Sequence, residues 1–251
     1  MVSEDHSGKQ ATVEGYDILA ENNDAVEISP WGDSQYQQYY VWPAAQAVLP
    51  QVGGTRVLDA GCGTGEHVGW FLDHGAEVVG VDASGEALET ARDRFGGRAT
   101  FHRADLTEPL EFASEDRFDL IFCNLVLDHI ENWDPVFEEF RRVLTADGDL
   151  VITTIHPMRR YSQHTDELTS YYETEAYVVN WADTGARIAQ YHRRISEILD
   201  SFIEARLNVV AFREITPCPG YEEHNPERYE KAMKEPDTLC IRGQPAGSGA
   251  N

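Results

Sequence analysis

VLDAGCGTGEH, residues Val57 to His67, decides the fold of this chain. Small and apolar residues around Asp59 lead into a turn where glycine recurs at Gly61, Gly63 and Gly65, and a helical pattern follows from Glu66. A strand, a glycine-rich turn and a helix in that order form a cradle for a nucleoside-bearing ligand. Glycine lets the backbone bend sharply and lie close to the ligand, and the helix start offers unpaired N–H groups. The dinucleotide fingerprint spaces its glycines G-x-G-x-x-G. Here the spacing is G-x-G-x-G, and Glu66 stands where the last glycine would fall. A carboxylate facing a pyrophosphate would repel it, whereas a ligand with cationic groups is not troubled by it.

Working outward, Val78 to Ser84 (VVGVDAS) reads as a second buried strand ending in Asp82. An acid about 20 residues beyond the first glycine turn, at a strand's C-terminal end, can accept both ribose hydroxyls. ATFHRADL then brings Asp105 just past a third strand. Arg117 to Ile130 (RFDLIFCNLVLDHI) gives a fourth, apolar on both faces from Leu120 to Cys123 and breaking at Asn124. GCGTG preceded by LDA resembles the first motif of the class I S-adenosylmethionine-dependent methyltransferases, a group that includes quinone-biosynthesis methylases. The resemblance follows the order of elements from Tyr16 to Arg242 and is specific in motifs between Val57 and Pro157. It implies S-adenosylmethionine as cofactor and S-adenosylhomocysteine as product. The cofactor would be held by Asp59, Ala60, Gly61, Cys62, Gly63 and Gly65, then Asp82 with Ala83, and Ala104, Asp105 and Leu106 near the adenine. Asn124, Leu125 and His129 would border its reactive end. The resemblance also implies an N-terminal helical segment closing over the cofactor, with Tyr16 and Tyr40 as candidate contacts to its methionine end.

The remaining elements follow from periodicity. A helix is expected over 34–50 and another from Glu66 to Asp73. Ser84 caps a third, whose Ala87, Leu88, Ala91 and Phe95 share a face. Asp134-Pro135 starts a helix with a sheet-facing stripe of Val136, Phe137, Phe140, Val143 and Leu144; Gly148 stops it before a fifth strand, Asp149 to Ile155. Residues 156–190 mix polar and aromatic side chains without helical period, an excursion that leaves a strand's C-terminal end and so roofs a substrate pocket. A helix around Ile195 to Ile203 and strands at Asn208 to Ile215 and Asp237 to Gly243 complete the chain. The expected architecture is α/β, a doubly wound and mainly parallel seven-stranded sheet of Rossmann-like methyltransferase type. The N-terminal helical segment and a lid insertion after strand five are added to it. One domain would span 15–243, between disordered ends at 1–14 and 244–251.

Composition limits the alternatives. Forty-four Asp and Glu against 20 Lys and Arg give a formal net charge of −24, and only Lys9, Lys231 and Lys234 are lysines. Acids spread along the chain and scarce lysine match a surface adapted to molar salt, where the Debye length falls to about 3 Å. A basic partner is the other reading. There is no apolar run of about 18 residues, hence no expected membrane span, and no signal-like N-terminus. Cys62, Cys123, Cys218 and Cys240 form no metal-ligand array, in keeping with a reducing, cytoplasmic setting.

Methyl transfer is an in-line displacement at an activated carbon, so the protein chiefly aligns and desolvates, and a base is needed only when the acceptor must lose a proton. His156, directly after strand five, and His192, in YHRR, are the candidate bases; each could instead satisfy backbone at a turn or helix start. His129 is a third. Tyr161, Tyr171 and Arg193 are candidate substrate contacts, with Tyr172 beside them, and Arg159-Arg160 could grip a carboxylate or be solvated counter-charges. NLVLDH lacks the Asn/Asp-Pro-Pro-aromatic loop of many nucleobase and glutamine methylases. The expected acceptor is therefore a small molecule, methylated on O, N or C by a monomer or homodimer. An RNA or protein methyltransferase, or a non-catalytic cofactor-binding protein, are the rival classes. No nucleic-acid module is visible, although a missing basic patch decides little in a high-salt protein.

Overall fold

The computed structural model describes residues 12–18, 34–181 and 185–247. Trp31 and most of the two ends expected to be disordered lie outside that range. Helix α1 covers residues 12–18. A π-helical turn, Gln37–Val41, runs into α2, Trp42–Val48. The central elements are β1 (Arg56–Ala60), α3 (Glu66–Asp73), β2 (Glu77–Asp82), α4 (Gly85–Phe95), β3 (Thr100–Arg103), β4 (Phe118–Asn124), α5 (Asp134–Val143) and β5 (Leu144–Ile155). Then follow α6 (Pro157–Gln163), β6 (Glu175–Trp181), β7 (Ala186–His192), α7 (Ile195–Glu204), β8 (Leu207–Glu214), α8 (Pro219–His224), α9 (Pro226–Ala232) and β9 (Thr238–Pro245).

The seven-stranded sheet has the order β3-β2-β1-β4-β5-β9-β8. Pairing is parallel from β3 through β5, and β9 enters antiparallel between β5 and β8. Alternation along the strands supplies two cores. Leu58, Ala60, Ile121, Cys123, Ile152 and Ile241 face Phe137, Phe140 and Phe202 of α5 and α7. Val57, Leu120, Phe122, Val151 and Cys240 face Val41, Ala45, Val68, Phe71 and Leu88 of the other helical layer. Strands buried on both faces read as continuous apolar runs, which is how they appear in the sequence. The chain reverses order beside β1, between β2 and β4, and ligands of open α/β sheets bind at such a switch, outside the strand C-termini.

Local chemistry accounts for the boundaries. Ser84 Oγ accepts from Ala87 N at 3.1 Å and caps α4. Helix α5 is capped one residue earlier than expected, by Trp133, with Asn132 Oδ1 accepting from Asp134 N at 3.0 Å. It also ends at Val143 rather than at Gly148. The next residues join β5, which bulges against β4 between Phe118 and Leu120. Residues 12–14, expected to be disordered, belong to α1, and Gln244 and Pro245 belong to β9, where they pair with Asn208 and Leu207.

The insertion after β5 is a helix and a hairpin. α6 begins as His156 accepts from Met158 N, and β6 and β7 pair antiparallel from Glu175↔His192 to Trp181↔Ala186 as a separate two-stranded sheet. His192 therefore ends β7 instead of starting α7, whose cap is Arg194. Helix α1 lies on this hairpin: a Cβ on Gly15 would sit 2.9 Å from Ile188 Cγ1 and 3.1 Å from Arg187 O.

Candidate functional site

The site begins where β1 turns into α3. Gly61, Gly63 and Gly65 all have positive φ, +78°, +52° and +85°, the region that glycine enters at no steric cost. At Gly61 space as well as conformation demands glycine, because a Cβ would lie 2.2 Å from Val126 Cγ2. Gly61 N and Cys62 N both donate to Val81 O, at 2.7 and 3.0 Å, so the turn hangs from the end of β2. Glu66 faces none of this. Its Oε1 accepts from Arg94 Nη1 at 2.6 Å and Thr64 Oγ1 at 3.0 Å, so its charge is answered locally and its supposed repulsion of a pyrophosphate loses its physical basis.

Two acids flank the turn. Asp82 uses both oxygens on the backbone, Oδ2 accepting from Gly63 N and Oδ1 from Ser84 N, each at 2.8 Å. Each oxygen keeps a second lone pair for a ligand hydroxyl. Burial raises the Asp82 pKa while the Ser84, Gly63 and Ala83 amides pull it back. Asp59 is 1% exposed, and its Oδ2 has no hydrogen-bond partner among the described residues. Burial, with the Asp82 charge adding to it, pushes its pKa up to about 8. A sealed carboxylate oxygen with no answer, next to a backbone stripped of side chains, fits a ligand that carries both a cationic amine and ribose hydroxyls. S-adenosylmethionine carries both.

The rim comes from β3, β4 and α1. Asp105 is exposed, with Oδ1 accepting from Thr107 N and Oγ1 at 2.8 Å; Leu106 is buried in the core and Ala104 partly so. Ala83 O accepts from Arg103 Nε at 3.0 Å. Asn124 Oδ1 accepts from Thr153 Oγ1 at 2.6 Å, and its amide reaches Gln37 Oε1 at 3.4 Å. Leu125 has φ +54°, rare for a residue with a Cβ, and is held there by Thr153, whose O and Oγ1 accept from its N at 3.0 and 3.1 Å. Asp128 pins the following turn, accepting from Thr154 Oγ1 at 2.8 Å and from Ile155 N.

Helix α1 closes over these groups. Asp17 Oδ1 accepts from Ser84 Oγ at 2.5 Å, and Tyr16 OH lies 2.7 Å from His129 Nε2. His129 Nδ1 is 3.0 Å from Ala189 O. A carbonyl can only accept, so Nδ1 carries the proton and the Nε2 lone pair accepts from Tyr16. Burial lowers the His129 pKa, which keeps the ring neutral near pH 7. The contribution of Asp17, Gln37 and Val126 had no signal in their own neighbourhood of sequence.

Several expected site residues are placed elsewhere. Tyr40 is 1% exposed within the core; its hydroxyl donates to Ile215 O at 2.9 Å and accepts from Asp237 N at 3.1 Å, leaving nothing for a cofactor. His156 is 2% exposed, with Nδ1 capping α6 and Nε2–H donating to Glu214 Oε1 at 3.2 Å. His192 is 1% exposed in the lid's own aromatic core, its ring 5.8 and 5.4 Å from Tyr161 and Tyr171, with Nε2–H donating to Tyr171 O at 2.9 Å. Both nitrogens of His156 are engaged, and His192 Nδ1, which has no partner among the described residues, is sealed within the lid core and not open to the cradle. Tyr161 and Tyr171 pack on each other and on His192. Arg193 is 5% exposed and donates to Ile130 O at 2.5 Å and Glu131 O at 3.2 Å, with its guanidinium 4.2 Å over the Trp133 ring. It braces the loop after β4 and does not meet a substrate. Among the described residues no group of three or more His, Cys, Asp or Glu could hold a metal, and no helix is long and apolar enough to cross a membrane.

Comparison with known proteins agrees with this geometry. Residues 58–152 match the family described as a methyltransferase domain. An uncharacterized protein of Haemophilus influenzae is 26% identical over 80% of this chain and 85% of its own length. A malonyl-[acyl-carrier protein] O-methyltransferase of Enterobacter lignolyticus is 36% identical, but over 45% of this chain and 43% of that protein. The crystal structure of an S-adenosylmethionine-dependent methyltransferase from Mesorhizobium loti superposes with a TM-score of 0.67 at 24% identity, covering 84% of this chain and 98% of that one. The switch-point cradle, the two acids beside it and these likenesses converge: residues 58–152 carry a methyltransferase domain, set in the fold of the S-adenosylmethionine-dependent methyltransferases.

Proposed function

We propose that the chain methylates a small-molecule acceptor enclosed between the C-terminal ends of β1, β4 and β5 and a lid made of α1, α6 and the β6–β7 hairpin. The observation that carries this reading is the link Tyr16–His129–Ala189, which joins α1, the turn after β4 and the hairpin above the cradle. The Gly61–Gly65 turn, Asp59, Asp82 and Asp105 would hold the cofactor, which when bound supplies a carbon already activated for displacement. The protein's share is alignment, exclusion of water by the lid and custody of one proton. As an acceptor hydroxyl or amine attacks, its proton passes to Tyr16 O while the Tyr16 proton passes to His129 Nε2. The positive charge then rests on a ring whose Nδ1–H stays bonded to Ala189 O. Burial raises the Tyr16 pKa, with Asp82 and Asp128 adding to the rise, so the phenol remains protonated until a base takes its hydrogen.

The test is a screen of small acceptors with methyl-labelled S-adenosylmethionine, repeated on Tyr16→Phe and His129→Ala. Proton custody of this kind contributes about 10²–10⁴-fold. Each variant should therefore lose about two orders of magnitude in kcat while binding S-adenosylhomocysteine within a few-fold of the parent. Unchanged kcat in both variants would remove the dyad from the mechanism.

A further inference from the structure

The lid carries five arginines; Arg187 of β7 is exposed, and of the other four three have an assigned partner. Arg159 pairs with Asp237 at 2.5 Å, Arg193 bonds to the Ile130 and Glu131 carbonyls and to Glu197, and Arg194 donates to Tyr172 O at 3.1 Å. Arg160 has none. Among the described residues its guanidinium makes no ion pair and no hydrogen bond; its Nε is sealed from solvent without a partner, as are those of Arg159, Arg193 and Arg194, but only Arg160 has no partner at its terminal nitrogens either. Its one contact is with an aromatic face, 5.7 Å above the Tyr177 ring, whose hydroxyl is in turn fixed by Gln190 Oε1 at 2.8 Å. The residue as a whole is only partly buried. In a chain with 44 acids and 20 basic residues, a half-buried cation that no acid pairs with directly needs an explanation. What sets it apart is that all its donors are unspent while its ring stack holds it in place, which leaves them for a ligand.

Its position supplies one. Arg160 sits on α6, which leaves the C-terminal end of β5 and packs against β7 of the hairpin. Its charge is felt by Tyr16 and His129, the two groups that hold the proton in the reading above, and by Tyr36 and Asp237 at the base of the lid. We propose that Arg160 receives an oxyanionic group of the methyl acceptor, a carboxylate or a phosphonate, so that the substrate of this lid is a small anionic molecule. A planar guanidinium suits either group, since its paired N–H donors match two oxygens at once. The stack on Tyr177 holds the fork in place without neutralising it. The acceptor's other end then lies toward the Tyr16–His129 pair. The inference rests on the small-molecule reading and would fall with it.

The experiment is calorimetric titration of the full chain, saturated with S-adenosylhomocysteine, by succinate, by methylphosphonate and by succinamide as the uncharged match. Saturable binding of either anion, with no binding of succinamide, is the expected result, and the two anion arms distinguish carboxylate from phosphonate. Arg160→Met should weaken anion binding about tenfold or more, with S-adenosylhomocysteine affinity unchanged. Arg160→Lys, which keeps the charge and loses the fork, should fall between and serves if the methionine variant does not fold. Equal anion binding by parent and variants, or no saturable anion binding by a protein that holds S-adenosylhomocysteine, would overturn the proposal and leave the methyltransferase standing. Failure to hold S-adenosylhomocysteine itself would strike the reading beneath it instead.

Discussion

Asp82 offers the sharpest test of the cradle because its carboxylate does two things at once. It ties the glycine turn to the end of β2 through Gly63 N and Ser84 N, both at 2.8 Å, and it presents its remaining lone pairs to the ribose. Asp82→Asn is nearly isosteric, yet its amide has one acceptor atom and would turn an N–H₂ toward one of the two backbone donors. That donor is then left unanswered, and one ribose hydroxyl loses a charged acceptor. Two charge-assisted hydrogen bonds weakened together cost about 2–4 kcal/mol in cofactor affinity. At 1.4 kcal/mol per decade this is roughly 30- to 700-fold in Kd. Calorimetric titration with S-adenosylhomocysteine measures it directly, with Asp105→Asn as comparison; Asp105 is exposed and should cost less than tenfold. An Asp82→Asn protein that binds within threefold of the parent would refute the assignment of β2 and of the turn it holds.

Three further outcomes follow from groups already placed. The Asp59 pKa is raised to about 8, so the folded, ligand-free protein holds a proton that the unfolded chain releases near pH 4. Its contribution to stability is present below about pH 4 and is lost progressively as pH rises to about 8. Asp59→Asn should accordingly raise Tm without ligand at pH 8 more than at pH 5, by a few degrees, while weakening S-adenosylhomocysteine binding; equal shifts at both pH values in calorimetric scans would contradict this. His156→Asn keeps a side chain able to cap α6, so methyl transfer should stay within a few-fold of the parent, and a hundredfold loss at unchanged Tm would make His156 the base. Arg193→Met removes two carbonyl bonds and the stack on Trp133, and should lower stability by about 2–4 kcal/mol in urea titration. A loss below about 0.5 kcal/mol would show that the loop after β4 stands without it.

The parallel half of the sheet was legible because its signals are local: an apolar run, a glycine turn, a capping serine and an Asp-Pro pair each act within a few residues. The place of Asp59 and Asp82 beside the glycine turn was legible for the same reason, since spacing alone fixes them to strand ends. The lid was not. β6 (EAYVVNW) buries Tyr177 against its own small hairpin core while Val178 and Val179 stay half-buried, so neither a strict alternation nor a continuous apolar run is present. The candidate bases failed through a different cause. His156 and His192 stand at strand ends, where a site would want them, yet their hydrogen bonds run to Glu214 and Tyr171, partners 58 and 21 residues away. The position of a side chain along the chain is readable; what its second nitrogen touches depends on packing between distant elements. The Tyr16–His129 contact spans 113 residues and has no local signal at all.

Helix α1 and the hairpin are packed against each other with no room for a methyl group at Gly15, and both reach the body of the molecule at the same place, Asp17 to Ser84 and Tyr16 and Ala189 to His129 among their bonds. The two pieces therefore travel as one flap. Exchanging three such hydrogen bonds for water costs about 1 kcal/mol each. Those three bonds alone would leave the flap open in roughly one molecule per hundred, and every further contact it makes lowers that fraction. On the proposed mechanism the order of events is then set from above: donor first, since it would lie beneath the flap, acceptor second, and the demethylated nucleoside last to leave.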